Sequence, residues 1–234
     1  MIKHPCVEPA FCKEIRYFNI NFENGIDWYL ANFPIKRRKG NFITGEASPG
    51  YIFHPQTPKR ILETVPLVKL IALLRNPIDR AYSNYQQNVK FGIEMLSFEE
   101  AIERESELTR GEFKPTFVKK NNFGRDYQRF LYLSRGIYIN YLKDWMSIFP
   151  KEQILIIKSE EFIKNPSRVF HRVLKFLNLS NWKLKEFRKY NPSQYQKMKK
   201  STRKYLMEFF KPHNQRLYKY LGSDFEWEES NSVI

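Results

Sequence analysis

The chain reads as an α/β fold with a mainly parallel sheet flanked by helices. Two apolar runs, Lys69–Leu74 and Gln153–Lys158, have strand length and the unbroken hydrophobicity of strands buried on both faces. Each precedes an Asn-Pro pair, Asn76-Pro77 and Asn165-Pro166. Asn is a good helix cap and Pro a good first helical residue, so each pair predicts the start of a helix. Strands alternating with helices imply parallel pairing.

Residues 1–25 have mixed character, with a compact block Lys13-Glu14-Ile15-Arg16-Tyr17-Phe18. Asp27 to Phe33 predicts a short helix offering Trp28, Leu30 and Ala31 to a core, and Lys36 to Gly40 is a basic loop. Phe42 to Glu46 predicts a strand before the turn residues Ser48-Pro49-Gly50. Pro58 to Thr64 predicts a helix with Pro58 in its first turn. Ser97 to Leu108 predicts another, with Ser97 and Glu100 spaced as a capping box. Residues 109–135 are polar and aromatic and read as a long loop. Gly136 to Phe149 predicts a helix with Ile137, Tyr141, Trp145 and Ile148 on one face. The helix after Asn165 has Val169, Phe170, Val173, Leu174 and Leu177 as its buried stripe, and Thr202 to Leu221 predicts a last helix. No internal repeat or low-complexity linker divides the chain, so residues 1–234 read as a single domain.

Composition narrows the function classes. Of 234 residues, 42% are hydrophobic and 16% aromatic, enough for a sizeable core and incompatible with wholesale disorder. A formal net charge of +15 points to an anionic partner such as a nucleotide, an acidic glycan, nucleic acid or a membrane surface. Cys6 and Cys12 are too few for a disulfide framework, and His4, His54, His171 and His213 are scattered, so no metal site is visible. The apolar runs are far too short for a membrane span, and charged and proline residues after Met1 interrupt any signal peptide. As written, the sequence reads as that of a cytoplasmic protein.

Chemistry concentrates in Leu74-Arg75-Asn76-Pro77-Ile78-Asp79-Arg80-Ala81-Tyr82-Ser83. Open α/β sheets bind ligands beyond the carboxyl ends of their strands, and Arg75 leaves its strand there. A guanidinium fork plus a hydroxyl, Ser83, suits a terminal phosphate. The same residues are also consistent with Arg75 pairing with a carboxylate and Ser83 lying on the surface.

Arg75-Asn76-Pro77-x-x-Arg80-x-x-Ser83 after an apolar strand resembles the 3′-phosphate-binding motif of sulfotransferases that use 3′-phosphoadenosine 5′-phosphosulfate (PAPS). Other segments fall in the family's order. Lys13-Glu14-Ile15-Arg16-Tyr17-Phe18 resembles its Lys-Glu-x-His-Phe-Phe block, and Gly45-Glu46-Ala47-Ser48-Pro49-x-Tyr51 its Gly-Glu-x-Ser-Pro-x-Tyr turn. Arg135-Gly136-x-Tyr138, Ser159-Glu160-Glu161 and the tail Phe210-x-Pro212-x-Asn214-x-x-Leu217-Tyr218 match as well. The similarity covers essentially the whole chain and is greatest to the branch of heparan-sulfate N- and O-sulfotransferases.

The resemblance implies a P-loop-NTPase-like parallel sheet and a set of roles. Arg75 and Ser83 would hold the cofactor's 3′-phosphate, and Tyr195 would belong to a loop covering the nucleotide. Glu14 would be the catalytic base and Lys13 would steady the sulfuryl oxygens or the acceptor. Arg16, where the family usually has His, and Gln87, where the N-sulfotransferase branch has His, would face the acceptor. Transfer would be in line, relying on positioning and charge stabilisation, with no metal required. The partners implied are the nucleotide and a glycan acceptor.

The sequence also departs from the family. The first strand and the Gly-rich loop that cradles the 5′-phosphosulfate are lacking, and Ile2-Lys3-His4-Pro5 reads as the end of the helix after that loop. The expectation is therefore an N-terminally truncated sulfotransferase domain, and a Golgi-lumen location if it is a eukaryotic fragment without its anchor. In Asn191-Pro192-Ser193-Gln194-Tyr195-x-x-Met198 the covering loop's usual Lys-Gly pair is Pro-Ser. Two other functions fit parts of the sequence. One is an anion- or nucleotide-binding remnant of the fold without catalysis; the other is a basic nucleic-acid binder, for which no recognition motif appears.

Overall fold

The computed structural model describes residues 3–35, 42–107, 130–184, 186–187 and 196–229. Its elements follow one another as β1 (Val7–Pro9), α1 (Gly25–Leu30), β2 (Ile43–Gly45), α2 (Thr57–Thr64), β3 (Leu70–Leu74) and α3 (Pro77–Lys90). Then come α4 (Phe98–Glu107), α5 (Tyr138–Ile148), β4 (Ile154–Lys158), α6 (Ser159–Lys164), α7 (Pro166–Phe176) and α8 (Lys200–Leu221). The fold is α/β, as expected. β1 and β2 pair in parallel, with Val7 opposite Ile43 and Pro9 opposite Gly45, and β3 pairs with β4 in a second two-stranded sheet.

The chain divides into two compact units. One comprises Met1–Ala72, Asp144–Ile157 and Glu161–Arg188; the other comprises Leu73–Lys143, Lys158–Glu160 and Lys189–Ile234. The first unit is built on aromatic packing. Ile15, Tyr17, Phe18, Tyr29, Ile61, Trp145 and Phe149 form its main cluster, and Tyr17 stacks on Tyr29 with ring centroids 4.6 Å apart. The second has a core of Ile78, Ala81, Phe98, Ala101, Ile102, Tyr132, Leu133, Leu206 and Phe210.

Local chemistry sets some helix ends as the sequence requires, although Asn165 makes no side-chain capping bond where α7 begins. Asn76 caps α3, its Oδ1 accepting the Ile78 N–H at 3.0 Å, with Pro77 as first helical residue. The capping box forms before α4: Glu100 N–H donates to Ser97 Oγ at 3.3 Å, and Glu100 Oε2 accepts the Ser97 N–H at 2.8 Å. α8 ends at Gly222, whose φ of 66° lies in the left-handed region that glycine enters without strain.

Several expectations are corrected. Residues 3–6 are turns leading into β1, which the sequence did not reveal, rather than the end of a helix. α1 starts earlier and is shorter than expected, and it buries Tyr29 while Trp28, Leu30 and Ala31 are exposed. The tyrosine wins because its ring has Tyr17 and Phe18 to pack on, and a six-residue helix can turn only one narrow face inward. β3 is not buried on both faces: Ile71 and Leu73 are 36% and 55% exposed, an alternation natural to a two-stranded sheet with one covered face. On α5 the buried residues are Tyr138, Ile139, Leu142 and Trp145, with Phe149 buried just beyond its end, so the inward face is rotated from the expected one and shares only Trp145 with it. The stripe of α7 is as expected except for Leu177, which is half-buried. The basic loop 36–40 and most of the long loop lie outside the described residues; the loop's end, Ser134–Gly136, is a 3₁₀ turn.

Gly136 is required sterically. A Cβ there would lie 2.7 Å from the Phe210 ring and 2.9 Å from Pro77. Gly136→Ala should therefore destabilise the protein by about 1–3 kcal/mol through overpacking, measurable by urea denaturation. His54 makes a second prediction. Burial, aided by the Arg60 charge, lowers its imidazole pKa from 6.5 to about 4, so the fold holds it neutral. Between pH 6.5 and 4 the unfolded chain therefore binds more protons at this position, and stability falls as pH falls through that window. In His54→Gln, denaturation midpoints should depend less steeply on pH across the same range.

Candidate active site

The turn from β3 into α3 is fixed by side chains distant in sequence. Glu160 Oε1 accepts the Asn76 N–H at 2.8 Å, and Asn76 Nδ2 donates to the Trp227 carbonyl at 3.2 Å. Trp227 Nε1 donates to the other oxygen of Glu160 at 3.3 Å, and the Tyr138 hydroxyl donates to the Arg75 carbonyl at 2.8 Å. Asn76 is 1% exposed and Trp227 is 2% exposed, so these bonds hold the backbone in a dry setting. The motif's Asn, the Glu of Ser159-Glu160-Glu161 and the Tyr after Arg135-Gly136 thus serve one purpose: they set the exit direction of Arg75.

Cationic charge accumulates beside this turn. Arg75 Nε and Arg80 Nε are both buried with no hydrogen-bond partner among the described residues. Arg80 donates from its terminal nitrogen to the Tyr132 carbonyl. Arg135 sits on the 3₁₀ turn, whose backbone is gripped by Glu105: Oε2 accepts the Leu133 N–H at 2.6 Å and Oε1 the Ser134 N–H at 2.7 Å. Burial holds Arg80 below its ordinary pKa, and the Arg75 charge pushes the same way. Burial and the Arg80 charge bring Arg135 down to about 10. Three neighbouring guanidinium groups thus concentrate positive charge and buried hydrogen-bond donors beside the turn, an arrangement chemically suited to an anion.

Ser83 and Gln87 lie farther along α3, Ser83 half-buried and Gln87 exposed. The Asp79–Arg203 ion pair, at 2.9 Å, ties α3 to α8. Tyr195 lies outside the described residues. The segment just after it is anchored, since the Tyr82 hydroxyl donates to the Gln196 carbonyl at 2.9 Å and Met198 packs on the core.

Lys13, Glu14 and Arg16 belong to the first unit, and all three are exposed. Glu14 and Arg16 are brought together as an ion pair, with Arg16 Nε donating to Glu14 Oε2 at 3.1 Å. Both have left-handed backbone, φ 52° and 55°, while Ile15, Tyr17 and Phe18 between and after them are buried. Sequence reasoning assigned no role to Arg80, Arg135, Tyr138, Glu160 or Trp227. The spacing of Arg80 within the motif was visible; the participation of Trp227 had no local signal. Among the described residues, no group of three His, Cys, Asp or Glu side chains is placed to hold a metal ion.

A buried cluster of guanidinium groups beside the turn from a strand into a helix lies where open α/β sheets bind ligands, and its charge suits an anion. Residues 12–231 match the sulfotransferase domain model, and the chain belongs to the sulfotransferase family. It is 28% identical to the membrane-associated sulfotransferase kil1 of Dictyostelium discoideum, over 97% of this chain and 62% of that protein. It is 25% identical to human heparan sulfate glucosamine 3-O-sulfotransferase 6, over 96% of this chain and 67% of that one. The bifunctional heparan sulfate N-deacetylase/N-sulfotransferase 3 of Homo sapiens is 28% identical over 94% of the chain, which spans 28% of its length. A sulfotransferase from Alicyclobacillus acidocaldarius has the same fold, with a TM-score of 0.76 at 27% identity, covering 98% of this chain and 91% of that one. The chain therefore spans less than two thirds of the Dictyostelium relative and under a third of the bifunctional enzyme.

Glu160→Gln tests the locking of the turn. An amide offers one acceptor where the carboxylate offers two, so it places a donor against either Asn76 N–H or Trp227 Nε1–H. Stability should fall by about 1–3 kcal/mol and hydrogen exchange at the Asn76 amide should accelerate.

Proposed function

We propose that this chain transfers a sulfuryl group from PAPS to a hydroxyl or amine of a carbohydrate acceptor. The observation that carries the reading is the buried, unpartnered Nε of Arg75 on a turn locked by Asn76, Glu160 and Trp227. A dianionic terminal phosphate supplies the acceptors that Arg75 and Arg80 lack, and the fit is in charge as well as in hydrogen bonding. In this reading Arg75 and Ser83 bind the 3′-phosphate, Arg80 and Arg135 add electrostatic stabilisation, and Tyr195 covers the nucleotide. The donor brings an activated sulfuryl group on a phosphosulfate anhydride.

Glu14 accepts the proton from the attacking acceptor group, and Lys13 neutralises charge on the sulfuryl oxygens. Arg16 and Gln87 contact the acceptor. A glycan is favoured because the relatives that cover most of the chain include a heparan sulfate glucosamine 3-O-sulfotransferase, and because the net charge of +15 suits an acidic polymer. No described helix is long and apolar enough to cross a membrane.

Titration calorimetry with 3′-phosphoadenosine 5′-phosphate tests the reading directly. Saturable binding is expected, weakened about 10- to 100-fold in Arg75→Ala by loss of a charge-assisted hydrogen bond. Glu14→Gln should bind the nucleotide as the parent does while sulfation of a heparan-type oligosaccharide falls about 10²- to 10⁴-fold. Nucleotide binding that is indifferent to Arg75→Ala would overturn the assignment. Tight binding with no sulfation of any acceptor would point instead to a non-catalytic nucleotide-binding protein.

A further inference from the structure

We infer that Glu46 is a positioning residue for Glu14, acting through the hydroxyls of Ser48 and Tyr51; the catalytic part of this inference rests on the function proposed above. The segment 13–18 has no helix or strand to hold it. It contains two non-glycine residues at positive φ, Glu14 and Arg16, a conformation that persists only where surrounding contacts over-determine it. Asn21 Nδ2 donates to the Ile15 carbonyl at 2.8 Å, and Thr57 and Arg60 donate to the Phe18 carbonyl at 3.2 and 3.0 Å, whereas the contacts to the segment's backbone amides converge on one carboxylate.

Glu46 Oε2 accepts the Ser48 hydroxyl at 2.6 Å, and Ser48 Oγ in turn accepts the Arg16 N–H at 3.1 Å. Glu46 Oε1 accepts the Tyr51 hydroxyl at 2.6 Å, and that oxygen accepts the Phe18 N–H at 3.4 Å. The Tyr29 hydroxyl is a further partner of Glu46. Each hydroxyl has a single proton, and it is directed at the carboxylate in a hydrogen bond. The hydroxyl oxygen is thereby left as an acceptor aimed at a backbone amide. Burial and the neighbouring Glu46 raise the pKa of Tyr51 well above the ordinary tyrosine value, so its hydroxyl stays protonated as this relay requires.

The spacing of Glu46, Ser48 and Tyr51 follows from local structure. β2 ends at Gly45, and Ser48 immediately precedes a 3₁₀ turn over Pro49–Phe53. The Tyr51 N–H bonds to the Ser48 carbonyl at 3.0 Å, which brings the two hydroxyls to one carboxylate. The pinned amides belong to Arg16 and Phe18, so the backbone is held at Arg16 itself and two residues beyond it. Ile15 is buried between Glu14 and Arg16. With these points fixed, the Glu14 side chain leaves the surface in one direction and meets Arg16.

The test uses the full chain with Ser48→Ala, Tyr51→Phe and Ser48→Thr. Amide hydrogen exchange read at single residues should show the Arg16 amide losing protection in Ser48→Ala, the Phe18 amide losing it in Tyr51→Phe, and both remaining near the parent level in Ser48→Thr. In sulfation assays kcat should fall about 10- to 100-fold in the first two variants, as expected for a displaced reacting group, with KM for the nucleotide unchanged. Ser48→Thr should restore kcat. Parent-like exchange in Ser48→Ala and Tyr51→Phe, or a kcat within twofold of the parent, overturns the inference. A Glu14→Gln variant as active as the parent defeats the assignment of Glu14 as base, and loss of protection at both Arg16 and Phe18 in Glu46→Gln, or its absence, then still decides whether Glu46 holds this segment.

Discussion

The backbone of Asn76 is where a strand has to become a helix in a dry environment, and every polar group there needs a partner. The side-chain carbonyl of Asn76 caps the helix, its amide donates to the Trp227 carbonyl, and its N–H is taken by Glu160. One residue thus joins segments 84 and 151 positions away in the chain. The consequence for chemistry is that Arg75, the neighbouring residue, has no rotational choice in its backbone. Its carbonyl is claimed by Tyr138. A guanidinium delivered by so constrained a backbone loses little entropy on binding an anion, which is the physical content of pre-organisation.

The same region holds positive charge at a cost in solvation. Buried cations normally sit beside carboxylates. Glu105, 1% exposed, offers its oxygens to backbone amides and the Ser134 hydroxyl and so organises the turn that carries Arg135, while its charge offsets part of the burden on Arg80 and Arg135. The nearby hydroxyls of Tyr138 and Tyr141 offer polarity without full charge. Burial and the Arg80 charge lower the pKa of Arg135 even so. In the proposed function a bound phosphate would relieve both, coupling affinity for the anion to repulsion already present in the fold.

In the first unit the organising group has the opposite sign. Glu46 accepts the hydroxyl hydrogen bonds of Ser48 and Tyr51 and so leaves their oxygens as acceptors for backbone amides. The aromatic cluster of Tyr17, Phe18 and Tyr29 supplies the burial that offsets two left-handed residues. Charged side chains emerge at Glu14 and Arg16 because the residues alternating with them are claimed by the core.

The α/β class, the helix starts at Asn76-Pro77 and Asn165-Pro166 and the capping box at Ser97 were all legible from sequence. Each depends on backbone chemistry within a few residues. The Arg75 motif and the Lys13-Glu14 block were legible as patterns for the same reason. β1 was not, since a three-residue strand containing Pro9 has no periodicity and exists only because β2 pairs with it. Which face of α5 is buried, and why Tyr29 rather than Trp28 turns inward, depended on partners far along the chain. So did the bonds from Glu160 and Trp227 to the Arg75 turn and the convergence of Ser48 and Tyr51 on Glu46. Local sequence determines what a segment is able to form. Only the tertiary structure decides which hydrogen-bond donor meets which acceptor once water is excluded.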